Sequence, residues 1–363
     1  MRKLLLSGFF MYAALSCVIP VIPAYAITLG ASQIVSAIAA GIFALSPAIA
    51  MTPFGIFSEI HGRRIFILSG ILMSILASVL YLFSSTTFIL IAARFIHGLG
   101  VAMYIPAINA LVADVSAEGR RGESIGWIQT SLMFGFFVGP MLGGFTAEMW
   151  GVEKVFVLSL IFALLSLFFA LLSVRKNGGR TSKISLRFPI GMIPFYLLIF
   201  LGTATTSALA IFALPYYRAE IGITEFQSGV IVSALFLFSS VSRVPAGILA
   251  DRAGRRTGAT AGIVVSSLGL FLASTTNPVR VFLAASVCGA GMGILNTSVF
   301  AAASDLENRG FALGLANSFL NAGIFLGSTL AGFMAGFMSF GEMMLYLAFI
   351  TVLLIPLAIA HKN

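Results

Sequence analysis

Apolar residues run along this chain in blocks of about 20, interrupted by short polar turns, and inside a block the polar positions follow no strict alternation. A helix needs ~20 residues to cross the roughly 30 Å hydrocarbon core of a bilayer. No water reaches the backbone there, so each block must be helical; the strands of a β-barrel would alternate apolar and polar residues. Twelve spans are expected, at 5–28, 33–57, 65–84, 88–112, 124–148, 153–174, 190–216, 226–249, 258–276, 279–303, 312–336 and 340–360. The fold class is an all-α integral membrane protein. Residues 1–174 are expected to form an N-terminal six-helix bundle, 175–188 a basic linker and 189–363 a C-terminal six-helix bundle.

Composition agrees, because a chain 59% hydrophobic and 9% charged lacks the polar surface of a soluble domain. The apolar run after Met1-Arg2-Lys3 is similar to a signal peptide, but at about 25 residues it exceeds the usual ~7–15, and it reads as the first span. The net charge of +9 could suggest nucleic acid; its distribution points to topology instead. Sixteen of the 21 Lys and Arg fall on the side that carries the N-terminus, three (Lys154, Arg218, Arg280) on the other, and Arg94 and Arg243 lie within spans. By the positive-inside rule both termini are cytoplasmic, in a plasma or inner membrane, with the lipid bilayer as partner.

Cys17 and Cys288 lie in apolar runs without a disulfide or metal pattern, and His61, His97 and His361 are scattered, so neither a metal site nor an intramembrane enzyme is expected. No Walker-type phosphate loop is present, which argues against ATP as energy source, and no cofactor is expected. Broken pore loops and charged rings, the marks of a channel, are absent.

One charged turn occurs twice. Gly55-Ile-Phe-Ser-Glu-Ile-His-Gly-Arg-Arg64 returns 192 positions later as Gly247-Ile-Leu-Ala-Asp-Arg-Ala-Gly-Arg-Arg256. Gly98 and Gly100 return as Gly289 and Gly291, and Asp114 as Asp305, at an offset of 191. The turns Glu118–Gly122 and Glu307–Gly310 follow at nearby offsets. The chain reads as one unit used twice in parallel.

These residues resemble the major facilitator superfamily, whose turn between spans two and three is Gly-x-Leu-Ala-Asp-Arg-x-Gly-Arg-Arg. The second copy matches every fixed position; the first has Glu59 for the acid and Ile60 for a basic residue. The resemblance implies a conformational latch built from Gly55, Glu59, Gly62, Arg63, Arg64 and Asp114, with Gly247, Asp251, Arg252, Gly254, Arg255, Arg256 and Asp305 as its counterpart. Span five holds Gly135, Gly139, Pro140, Gly143 and Gly144 in the Gly-x-x-x-Gly-Pro-x-x-Gly-Gly pattern of that superfamily's drug:proton antiporters. Small residues at this spacing also serve tight helix packing. Span four carries Arg94 and His97 in a pattern similar to the family's Arg-x-x-Gln-Gly-x-Gly, with His97 in the Gln position. A buried arginine needs a partner or a function; the plainer alternative is pairing with backbone carbonyls.

All twelve acids lie away from the middle of spans, leaving His97 as the titratable group at useful depth for a proton, against a plain hydrogen-bonding role. The central cavity is expected to be mostly apolar, with Tyr104, Asn109, Gln129, Thr130, residues 203–207, Asn296, Asn317 and Asn321 as polar candidates, and Met133, Phe134, Phe212 and Met292 as apolar ones. Such a lining suits lipophilic or weakly cationic small molecules better than sugars or phosphate esters. The expected function is secondary active export of such substrates by a monomer, with protons as possible coupling ion. The alternatives are an importer or facilitator of a small metabolite and a membrane receptor or sensor on the same fold.

Overall fold

The computed structural model describes residues 1–116, 121–173, 189–306 and 309–359. The expected linker at 175–188, turn residues 118–120 and 307–308, and residues 360–363 lie outside them. Regular structure among the described residues is entirely helical. Ten helices are long and apolar enough to cross a membrane, and eleven if one bent pair is counted as a span.

That pair, α1 (Arg2–Cys17) and α2 (Ile22–Thr28), is bent by 41° and covers the expected first span. Then follow α3 (Gln33–His61), α4 (Arg63–Leu82), α5 (Thr87–Val115), α6 (Arg121–Trp150) and α7 (Val152–Leu171). The second half opens with α8 (Ile193–Ser207), which runs through a π-helical turn at Ala208–Ala213 into α9 (Leu214–Tyr216), followed by the short α10 (Arg218–Ile221). Next come α11 (Glu225–Val241) and α12 (Arg243–Ala253), one span interrupted at Ser242, then α13 (Arg255–Leu272) and α14 (Pro278–Ser304). The chain finishes with α15 (Arg309–Met334), α16 (Phe340–Val352) and α17 (Ile355–Ile359). At the remaining expected span stands α13, whose 18 residues begin with two arginines and are correspondingly less apolar.

Helices of 29 residues such as α3 and α5 are about 44 Å long at ~1.5 Å per residue, so they project beyond the hydrocarbon layer. Their ends are built in two ways. At one end, Ser32, Thr86, Thr224, Asn277 and Ser339 accept backbone N–H bonds as side-chain N-caps, the second-half pair Thr224–Gln227 and Ser339–Glu342 as full capping boxes. At the other, α3 passes into α4 through Gly62 (φ 98°) and α12 into α13 through Gly254 (φ 94°). Side chains rarely adopt these angles, and the two glycines are 192 positions apart in the repeated turn. This second end is called the basic end below.

The duplication is visible in packing. A Cβ on Gly98 of α5 would collide with the carbonyl of Phe43 in α3, and one on Gly289 of α14 with the carbonyl of Leu235 in α11. Gly135 and Gly139 of α6 lie against the backbone of Phe9 and Ala13 in α1; Gly323 and Gly327 of α15 lie against Phe200 and Ala204 in α8. The two sequence halves meet along α3 with α15 and α6 with α11. Large apolar side chains such as Phe88, Phe83 and Ile190 stay exposed, as suits surfaces that face lipid.

A candidate transport pathway and its two ends

At the basic end the repeated turns gather the residues expected from the sequence. Arg63 Nε donates to Asp114 Oδ2 at 3.4 Å, its NH2 lies 3.8 Å from Glu59 Oε1, and its NH1 donates to Ser58 Oγ at 3.3 Å. In the second copy Arg255 takes both oxygens of Asp305, at 3.0 and 3.3 Å, and also pairs with Asp251. Each cluster stays within its own half. The second is tighter because the shorter Asp251 replaces Glu59 and the guanidinium fork meets a carboxylate edge-on. Hydrogen bonds to these two carboxylates hold Arg255 still more firmly protonated than an ordinary arginine. Arg64, Arg252 and Arg256 form no ion pair among the described residues. A Cβ on Gly247 would meet open space and one on Gly55 only Pro106 at 3.4 Å, so neither glycine is demanded by contacts at this end.

The opposite end is closed by backbone contact between halves. A Cβ on Gly144 of α6 would strike the carbonyl of Glu225 in α11, and one on Gly229 of α11 the carbonyl of Pro140. The other seam repeats this arrangement: Gly332 of α15 meets Ala37 and the carbonyl of Gln33 in α3, and Gly41 of α3 meets Ser328. Three of the four glycines in the span-five motif, Gly135, Gly139 and Gly144, therefore have counterparts in Gly323, Gly327 and Gly332, each 188 positions later. Pro140 corresponds to Ser328, and Gly143, packed on the carbonyl of Cys17, to Ala331.

One residue that sequence reasoning missed belongs to this closure. Glu148, near the end of α6, accepts the backbone N–H of Phe226 at 2.9 Å and so caps α11 from the other half. Beside it Arg218 pairs with Glu225 at 2.5 Å. Its counterpart by the same offset is Gly336, which cannot do this. The available signal was an acid one turn past the glycine motif; which helix it would cap was not readable.

Inside the N-terminal half, Arg94 is completely buried. It donates to the carbonyls of Ala40 at 2.6 Å and Ala39 at 3.3 Å and lies 4.2 Å above the Phe43 ring. These are the carbonyl partners of the plainer expectation, yet NH1 has no hydrogen-bond partner. His97 is also buried, with Nδ1 3.1 Å from the Tyr81 hydroxyl and Nε2 unpartnered. Tyr104, expected on the pathway, is fully buried and bonded to Ser7 at 3.0 Å, so it stands between helices of its own half.

Other candidates turn back on their own helices. Asn317 and Asn321 donate to the carbonyls four residues earlier, and Thr205, Thr206 and Ser207 bond within α8. Thr203 Oγ1 is buried without a partner. Gln129 donates to Asn109 at 3.0 Å, joining α6 to α5. Asn296 is 2% exposed, and neither side-chain nitrogen nor oxygen has a partner. Phe212 is fully buried, whereas Phe134 is half exposed beside Phe9 and Phe137. Across the centre, Tyr12 of α1, Phe136 of α6 and Phe236 of α11 form a chain of rings, 5.5 and 4.4 Å between centroids.

A set of helices this long and apolar, carrying one turn in two copies and closed at one end by two matching seams, defines a duplicated multi-pass membrane transporter. The chain belongs to the Major Facilitator Superfamily, whose profile matches residues 4–193 and 195–361. It is 26% identical over 349 residues to an uncharacterized MFS-type transporter of Methanocaldococcus jannaschii, covering 92% of this chain and 90% of that one. It is 24% identical over 346 residues to multidrug resistance protein 1 of Bacillus subtilis, covering 91% and 88%. The fold is shared with the crystal structure of the nucleoside transporter NupG, at a TM-score of 0.82 and 14% identity, covering 99% and 98%. The protein is thus a secondary transporter of the membrane and not an enzyme.

Proposed function

We propose that the chain exports lipophilic small molecules from the cytoplasm by alternating access, as a monomer whose two six-helix bundles, 1–174 and 189–363, rock about their shared seams. The basic end is read as cytoplasmic, since clustered Lys and Arg stay on that side. The observation that carries the reading is the unequal closure of the α6–α11 seam. Toward the opposite end its glycines press on the partner's backbone; toward the basic end Gly126 and Gly247 face open space, and α12 packs on α13 and α14 of its own half. We read this as an inward-open state, in which the charge clusters of each half stand apart. When the basic end closes, the clusters at Arg63 and Arg255 approach the other half's helix ends and latch the outward-open state. Two states of similar energy need only a few kcal/mol of such bias.

The multidrug resistance names of the relatives support export, and the apolar, aromatic centre supports lipophilic cargo. Proton coupling would use His97, buried inside the N-terminal half against Tyr81, or Glu148, on the contact between α6 and α11. The test is uptake of a fluorescent lipophilic dye by cells lacking this gene. Expression is expected to lower dye accumulation, and a protonophore to cancel the effect. Unchanged accumulation, together with no flux in liposomes holding the purified chain, overturns the reading.

A further inference from the structure

Arg243 stands at the start of α12, where the α6–α11 seam parts. Its Nε is buried without a hydrogen-bond partner, and the described residues offer its guanidinium neither a hydrogen bond nor an ion pair. The group it meets electrostatically is the Tyr12 phenol, on α1 of the other half. Taking a cation out of water without a counter-charge is expensive, and such residues in membrane proteins face a cavity or a ligand.

Three further observations place it in the pathway. Along the antiparallel seam Gly144 meets Glu225, Pro140 meets Gly229 and Phe136 meets Phe236. Continuing that register by seven residues sets Arg243 opposite Gln129, beneath the ring chain of Tyr12, Phe136 and Phe236. Along the parallel contact of α14 with α11, Gly289 meets Leu235 and Gly293 meets Ser239 and Ser242. Asn296 follows on that same face at the level of Ser242 and Arg243, with its own amide unpartnered. Two unsatisfied polar groups thus lie on neighbouring helices, the arginine close to Tyr12, and no described carboxylate stands in the middle of any span.

We propose that Arg243 and Asn296 receive the oxyanion head of an amphiphilic substrate, whose apolar body lies along Tyr12, Phe136 and Phe236. The carboxylate class fits best, because a guanidinium binds two oxygens in a plane while an amide nitrogen adds a third donor. The inference rests on the transport reading but fixes its charge: the cargo is a lipophilic anion, where the sequence favours a lipophilic or weakly cationic molecule. A positive cavity raises the energy of a cation and lowers that of an anion.

The test uses the full chain in nanodiscs and liposomes with three matched probes: pyrenebutyrate, its methyl ester and pyrenebutylamine. Wild-type protein is expected to bind the carboxylate at least ~10-fold more tightly than the amine, the size one charge-assisted contact supplies. Arg243→Gln is expected to abolish that preference while leaving the ester's affinity unchanged, and Arg243→Lys to keep part of it. Equal losses for carboxylate and ester, or a preference for the amine, overturn the proposal; an unchanged melting temperature of the variant excludes misfolding as the cause. Failure of the two readings is distinguishable. Flux of ester or amine, with carboxylate binding indifferent to Arg243, leaves transport standing and removes the anion site, whereas Arg243-dependent carboxylate binding without flux of any probe does the reverse.

Discussion

The two ends of this molecule are held by different physics. The basic end relies on charge: Arg63 and Arg255, each with two carboxylates, at surfaces where water competes and an ion pair contributes only about 0.2–1 kcal/mol. The opposite end relies on shape, with Gly144, Gly229, Gly332 and Gly41 letting backbones of the two halves touch. Contacts of shape are short-ranged and all-or-none, while charges act at a distance and can be traded between partners. An end that must close firmly yet part completely suits the first; an end whose groups guide its closing suits the second.

The comparison breaks most visibly at the glycine seam. Gly144→Val is expected to prevent closure of the opposite end, since overpacking at such a site costs about 1–3 kcal/mol, enough to shift a balanced equilibrium about fivefold or more. Spin labels across the α6–α11 seam should report separated halves, and export should fall in proportion. Because Gly332 occupies the matching place, Gly332→Val should do the same across α3 and α15; a silent Gly332→Val would end the equivalence of the two seams.

Next in size are the turn glycines. Gly254→Ala and Gly62→Ala place a Cβ at a φ near +95° with extended ψ, at a cost of about 1–3 kcal/mol each. Thermal unfolding in detergent should show similar losses for both, and a marked inequality would mean the two turns differ in strain as well as in charge.

A smaller effect separates the charge clusters. Asp305→Asn removes the two-pronged contact on Arg255, whereas Asp114→Asn removes one 3.4 Å contact on Arg63. Labels across the basic end should show a larger shift toward the open state for Asp305→Asn, within the ~1 kcal/mol of exposed pairs. An equal shift would show that the tighter geometry carries no extra weight. The least change is expected from Glu148→Ala, which removes an exposed cap on α11 and should slightly raise the population with the opposite end parted. Gly336→Ala, at the matching position, should leave the same distances unaltered.

Much of the fold was legible because a bilayer permits few solutions: apolar blocks must be helices, and basic turns must gather on one side. The charge clusters were legible because the repeated turn puts acids and arginines at fixed spacing, and Glu59, Arg63 and Asp114 do meet. The span-five motif was legible as tight packing but not as half of a repeated seam, since its copy in α15 keeps three glycines and loses Pro140. The interior was least legible. Tyr104 and Asn321 looked available as polar groups, but one is enclosed beside Ser7 and the other bonds its own helix. Arg243, placed by the sequence within a span without a role, has neither a hydrogen bond nor an ion pair among the described residues and lies beside Tyr12.

By itself the sequence determined that this chain is helical, spans a membrane many times, is duplicated, and carries its basic turns on one side. Those properties follow from local composition and from a repeat that can be laid over itself. Tertiary structure alone decided which glycines meet the other half, that Glu148 caps a helix 78 residues away, and which arginine is answered by carbonyls and which is not. The physical reason is that a side chain's role in a helical bundle depends on the rotation and register of its helix against the neighbours, and both are set by contacts between segments far apart in the chain.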